Sequence, residues 1–261
     1  INIMAGSAVS EISSNRIIAA RKSAIMLHKS VSCVSVSSNT ISNVSDNAIY
    51  VRGGAQVSSI HGNSISKISG SGIYAGMAVV SGISSNRVTD AAKCGIYLSG
   101  ASVGRMVSNN SVRITGSGIC MKGGATASVI KKNRTVYCRK GIAVKNSAVG
   151  KMVENNFVNC SDMGIMLSGS SNVTVVRGNI VKTAEEGMAV SGSTVIKVVG
   201  NRFRNCYNYG IAVKNSSHIE LVKKNVVRKC SKDYKVTRNS EVKKLKTEES
   251  GKEKTDTTVL I

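Results

Sequence analysis

Gly141-Ile142-Ala143-Val144 returns along the chain as Gly164-Ile165-Met166-Leu167, Gly187-Met188-Ala189-Val190 and Gly210-Ile211-Ala212-Val213. Upstream the same tetrad reads Gly118-Ile119-Cys120-Met121, Gly95-Ile96-Tyr97-Leu98, Gly72-Ile73-Tyr74-Ala75, Ala48-Ile49-Tyr50-Val51 and Ala24-Ile25-Met26-Leu27, so its first residue recurs every 23 or 24 positions. A second marker keeps step with it: Asn15, Asn39, Asn63, Asn86, Asn110, Asn133, Asn156, Asn179, Asn201 and Asn225, spaced 22 to 24 residues apart. Two markers holding one period over most of the chain define a repeat protein.

Within one unit the tetrad alternates at strand period, which turns Ile142 and Val144 inward and Ala143 outward. Three residues before each asparagine stands a Val or Ile, from Ile12 and Val36 through Val198 and Val222. Two residues after it stands another, from Ile17 through Val227, with Phe203 as the ring in the row and Thr135 as the polar exception. These β-branched positions predict about three short strands per unit, separated by turns. Such a unit cannot bury its own apolar face, but units stacked in register share a continuous core. The asparagine suits a tight turn, because Asn tolerates left-handed backbone angles, and stacked amides can hydrogen-bond from coil to coil.

The pattern of Gly-Ile-x-Val/Leu, a turn, then Val/Ile-x-x-Asn-x-Ile/Val resembles the right-handed parallel β-helix repeats of the pectin-lyase-like superfamily, over about residues 1–230. The resemblance implies an all-β solenoid of about ten coils of 22–24 residues. It implies a polysaccharide-related role on the cell surface or outside the cell. It does not transfer an activity, since the superfamily spans lyases, hydrolases, epimerases and non-catalytic repeats. The aspartate-rich catalytic motifs of its hydrolases and epimerases find no match here.

The absence of proline fits strands that are nearly all internal. No apolar run is long enough to span a membrane. Ile1 to Ala5 falls at the tetrad position, so the chain is expected to start inside a coil, with further coils or a cap before it. After Cys230 the pattern fails, because Tyr234-Lys235 lands where Gly-Ile should continue the apolar column. The sequence therefore divides into a β-helix domain at 1–230 and a polar tail at 231–261, read from its composition as disordered.

The net charge of +22 is unevenly spread. Residues 1–100 carry 8 Lys and Arg against 3 acids, 101–230 carry 20 against 5, and 231–261 carry 8 against 6. A field of that kind draws polyanions. Acidic polysaccharide is the first candidate. Nucleic acid is another, although no motif beyond charge supports it.

Four of the seven cysteines, Cys138, Cys160, Cys206 and Cys230, share a column with Ala20, Ala91 and Ala184, which makes them small interior filler. Cys138 with Cys160 and Cys206 with Cys230 are in adjacent coils and remain able to pair. No C-x-x-C is present and His28, His61 and His218 are scattered, so neither a metal nor a cofactor is implied.

Two outward rows carry the binding candidates. The third tetrad residue gives Tyr50, Tyr74 and Tyr97 on consecutive coils, an aromatic strip suited to sugars. Two positions on stand Arg52, Lys122, Lys145 and Lys214, able to receive carboxylates or phosphates. For catalysis the candidates are Asp162 and Glu185, one coil apart in the row two residues before the tetrad. Retaining glycosidases hold two carboxyls about 5–5.5 Å apart, but Arg139 beside Asp162 makes a surface ion pair the simpler account. Three functions compete: a non-catalytic or substrate-holding β-helix segment of a larger extracellular protein that binds anionic polysaccharide; a polysaccharide lyase, hydrolase or epimerase with catalytic coils upstream or unrecognised; and a nucleic-acid binder.

Overall fold

The computed structural model describes residues 1–108, 110–154, 156–237, 239–249 and 252–260 of the chain. Among these residues all regular structure is strand, and the strands stack into a right-handed parallel β-helix. Most coils give one strand to a first sheet, such as Gln56–His61, and two to a second, such as Ser64–Ile68 and Ile73–Gly76, the latter two merging into one strand at Ile180–Ser191 and Arg202–Lys214. Every strand pair of the helix is parallel and joins one coil to the next.

The register turns each repeated position into a column. Ile49, Ile73, Ile96, Ile119, Ile142, Ile165, Met188 and Ile211 are partners in succession, and all are 0 or 1% exposed. The residue three before each asparagine forms a second buried column, and that two after forms a third, buried from Ile41 to Phe203 and partly exposed at Ile17 and Val227. In this third column Thr135 and Phe203 are as buried as the valines they replace. The three columns form one continuous core with no break between coils.

The asparagines form a ladder. From Asn39 to Asn201 each is at most 1% exposed. Asn63 shows the pattern. Its Nδ2 donates to the Val36 carbonyl at 3.0 Å and to Asn86 Oδ1 at 2.9 Å, while its Oδ1 accepts from the backbone N–H and side-chain amide of Asn39, each at 3.0 Å. The carbonyl and N–H groups freed by the turn are thereby satisfied. One part of the turn expectation is corrected. The left-handed residue is the one before the asparagine, as at Ser14, Ser38, Gly62, Ser85, Lys132, Gly178, Gly200 and Lys224, with φ between 52° and 65°. The asparagine itself keeps ordinary φ, because its side chain must point into the turn to reach both neighbouring coils.

Residues 231–261, read from composition as a polar tail, carry further strands. Lys232–Val236 pairs with Tyr209–Val213, so Tyr234 stands after Ile211 in the apolar column and Val236 after Val213. Glu241–Glu249 extends the first sheet, and Lys252–Leu260 pairs with it antiparallel.

Candidate functional site

The candidate face is built by a corner in the chain. Cys94 and Tyr97 are three residues apart and would lie on opposite faces of a straight strand. Both line one groove on the outside of the second sheet, so the strand Cys94–Ser99 turns at Gly95. The tetrad glycine is required there by close approach rather than by positive φ. At Gly141 an added Cβ would lie 2.2 Å from Val158 Cγ1 and 2.6 Å from the Gly164 carbonyl oxygen. The corner turns the residue before the glycine to the outer face at Cys94 and Lys140, which line the groove.

The resulting groove encloses about 550 Å³. Its floor is apolar and small: Cys94, Cys120 and Ala143 form a cluster of their own, closed at the ends by Tyr97 and Met166. Ala143 was expected to point freely outward; it does face outward, yet is only 5% exposed, because the groove walls fold over it. Those walls are cationic. Lys93, Arg139 and Lys140 line one side, and Lys122 and Lys145 the other. Asp162 lies 3.8 Å from both Arg139 and Lys140. Lys93, Lys122 and Lys145 enter no ion pair among the described residues. The groove therefore presents at least three uncompensated ammonium groups around an apolar floor, an arrangement that attracts anions.

Upstream the floor continues into the tyrosine strip. Tyr50 and Tyr74 stack with ring centroids 5.0 Å apart, and Tyr97 meets Tyr74 edge-on at 5.3 Å. Arg52 donates to the Tyr50 hydroxyl at 2.8 Å, and Lys122 sits 5.8 Å from the Tyr97 ring centre. The ring faces are thus largely spent on one another and on cations, leaving hydroxyls and ring edges for a ligand. Gly76 makes room for this, since a Cβ there would lie 2.6 Å from Tyr74 Cε1. Burial, then the neighbouring Tyr50, push the Tyr74 hydroxyl pKa up.

Of the residues expected from sequence, Tyr97, Lys122 and Lys145 meet in the groove, and Tyr50, Tyr74 and Arg52 extend its line. Lys214 lies further on and is engaged by Glu186, a buried carboxylate, in an ion pair that spans the outer face beside Ala189 and Ala212. Asp162 sits at the groove edge between two cations, while the exposed Glu185 accepts from Asn208 Nδ2 at 2.8 Å. These two stack on adjacent coils, where the Glu185 N–H donates to the Asp162 carbonyl at 2.6 Å. Sequence reasoning missed Lys93, Lys140, Cys94 and Met166 as groove residues. Cys94 and Lys140 stand immediately before the tetrad glycine, where strict alternation points inward and the corner points out, whereas Lys93 and Met166 lie in rows that alternation already sends outward.

A second cationic surface lies around the turn. One outward row reads Ile18, Ser42, Ser66, Thr89, Arg113, Val136, Asn159, Lys182, Arg204, Arg228 in direct register. Its last three members, with Asn205 and Lys229, line a shallow hollow of about 370 Å³.

Comparison with known proteins agrees with this architecture. The family model described as "Right handed beta helix region" matches residues 1–150 and, in an overlapping match, 78–231. None of the curated proteins matches the chain. Among solved structures, the catalytic domain of a GH87 α-1,3-glucanase variant in complex with tetrasaccharides is similar at 12% identity and a TM-score of 0.39. The alignment covers 89% of this chain and 64% of that one.

Proposed function

The chain belongs to the family of right-handed β-helix regions, and from that premise we propose that its grooved outer face binds an acidic polysaccharide without cleaving it. The observation that carries the reading is the groove itself, with Lys93, Lys122 and Lys145 unpaired around the floor of Cys94, Cys120 and Ala143. Ammonium groups on both walls receive carboxylates from a chain lying along the floor. The apolar floor takes the less polar face of the sugar rings, and the tyrosine hydroxyls add hydrogen bonds at the upstream end. Lysine suits this role because its flexible stem lets one row of charges follow an irregularly substituted polymer.

In this reading residues 1–230 are the binding domain of a larger extracellular or cell-surface protein, followed by a polar segment at 231–261. Binding without cleavage is supported by how the two candidate carboxylates are occupied. Asp162 faces Arg139 and Lys140, and Glu185 holds Asn208. Neither is placed as a free base beside the floor.

Calorimetric titration with polygalacturonate, alginate and a neutral glucan tests the proposal. Both uronates should bind at low salt, the neutral glucan should bind far more weakly, and affinity should fall as salt is raised. Equal binding of the neutral glucan, or no binding of either uronate, contradicts it. Release of unsaturated products or new reducing ends from the uronates would favour the enzyme reading.

A further inference from the structure

We infer that Cys94 and Cys120 form a thiol–disulfide exchange site on the groove floor, which takes small, negatively charged disulfides as its oxidant. The observation is geometric. Their sulfurs lie 2.8 Å apart, bridging 26 residues between consecutive coils. A disulfide needs about 2.05 Å, so closing the bond asks for a movement of less than about 1 Å at the sulfurs. The contact is diagonal. Cys94 is the register partner of Ser117 and Cys120 that of Tyr97. The corner at Gly95 brings the two side chains together.

The other cysteines are placed differently. Cys33, Cys138, Cys160 and Cys206 belong to the interior core, and Cys230 packs against it. Cys138 and Cys160 are direct register partners, yet both face the interior column. Cys94 and Cys120 instead belong to the separate outer cluster with Ala143, under a groove open to solvent. Lys93, Lys122 and Lys140 line the same groove. Cations favour the thiolate and draw in anionic reagents.

The two sulfurs have distinct roles. The hydrogen bond from the Cys94 thiol, then, against burial, a hydrogen bond with Ser117 and the charges of Lys122 and Lys140, hold the Cys120 thiol below its usual range. The same hydrogen bond, then burial, push Cys94 up. Cys94 donates its S–H to Cys120 Sγ, so Cys120 is the attacking sulfur and Cys94 the resolving thiol. In the first step the Cys120 thiolate attacks one sulfur of a disulfide RSSR; a Cys120–SR bond forms, the S–S bond of RSSR breaks and RS⁻ leaves. In the second, Cys94 gives its proton to solvent and attacks Sγ of Cys120. The Cys94–Cys120 bond forms and the second RS⁻ leaves. Two protein thiols are oxidised and one RSSR is reduced to two RSH, so no other oxidant is required.

The test uses the fully reduced protein and oxidised glutathione. Samples are quenched with acid, alkylated, digested and mapped by mass spectrometry. A Cys94–Cys120 cross-link should form first, while Cys138, Cys160 and Cys206 remain reduced in the folded protein. Cys94→Ser should trap glutathione on Cys120. Cys120→Ser should slow modification of Cys94 by roughly tenfold or more, since the attacking thiolate is gone. Thermal melts confirm folding of both variants, and Cys94→Ala and Cys120→Ala replace any that fail. A Cys138–Cys160 link forming as fast, equal reaction of the two single variants, or no cross-link at millimolar oxidised glutathione overturns the inference.

Discussion

Residues 1–100 and residues 101–230 share one interior and present two different exteriors. The apolar columns and the asparagine ladder run through both, and the corner glycine holds its place from Gly72 onward, after Ala24 and Ala48. Outside, the first part carries 8 cations against 3 acids and the second 20 against 5. A single row shows the contrast: Ser42, Ser66 and Thr89 occupy the positions that Lys182, Arg204 and Arg228 take further along. Like charges side by side on a sheet are unfavourable, and the neutral coils show that the fold does not need them. The difference teaches that coil stacking constrains only what points inward. The outward rows are free to carry binding.

The comparison can be broken most severely at the core. Ile49→Asp in the first part and Ile142→Asp in the second each bury an unpaired carboxylate in the same column, and each should destabilise by about 4 kcal/mol or more. Urea denaturation of both variants checks this. A mild effect at one site would show that the interiors are not equivalent. Ala143→Asp, one residue from Ile142, puts its carboxylate on the buried groove floor but beneath the groove lysines, so it should cost about 2 kcal/mol less than Ile142→Asp.

The asparagine ladder gives the next largest effect. Asn63→Ala and Asn179→Ala each remove a buried amide and strand the groups it served, including the Val36 carbonyl in one case and the Val153 carbonyl in the other. Each should lose about 3 kcal/mol. Closely matched losses in chemical denaturation support one shared interior.

The far end extends the comparison to pH. Burial, then the Asp233 charge, raise the Tyr234 hydroxyl pKa from 10.0 to about 12. The raised value means the folded state favours the neutral phenol. Its contribution is complete below pH 10 and is lost as pH rises to about 12. The loss should reach about 2 kcal/mol, and Tyr234→Phe should flatten the decline in thermal stability over that window.

The smallest predicted effect separates the two basic surfaces. Changing Lys122 and Lys145 together to Ser should weaken polygalacturonate binding about tenfold, or about 1.4 kcal/mol, and reduce its salt dependence. Changing Lys182, Arg204 and Arg228 to Ser should weaken it by only about threefold, through the general field. A reversed order would move the site from the groove to the neighbouring row.

Inward positions were legible in the sequence because each repeats the same chemical demand in every coil: Ile142 and Val144 inside, a Val or Ile before the asparagine, an amide at the turn. The outer face was only partly legible. Tyr97, Lys122 and Lys145 follow from alternation, but Cys94 and Lys140 do not, because the corner at the glycine breaks the alternation that would place them. The tyrosines could be placed in a strip, yet their stacking on one another depends on ring orientation, which no spacing encodes. The stacking amides were legible, whereas the left-handed angle falls on whichever of Ser, Gly or Lys precedes the asparagine, a position with no fixed residue type.

The groove is tested most directly by titrating a galacturonic-acid oligosaccharide into the wild-type protein and Ala143→Asp at low salt, with melting curves recorded alongside. The variant keeps the interior and puts one negative charge on the groove floor beneath the lysines. The account predicts a variant that still melts cooperatively, with a smaller loss than Ile142→Asp, and binding weakened by at least about tenfold; a folded Ala143→Asp protein that binds the oligosaccharide as tightly as the wild type would contradict it.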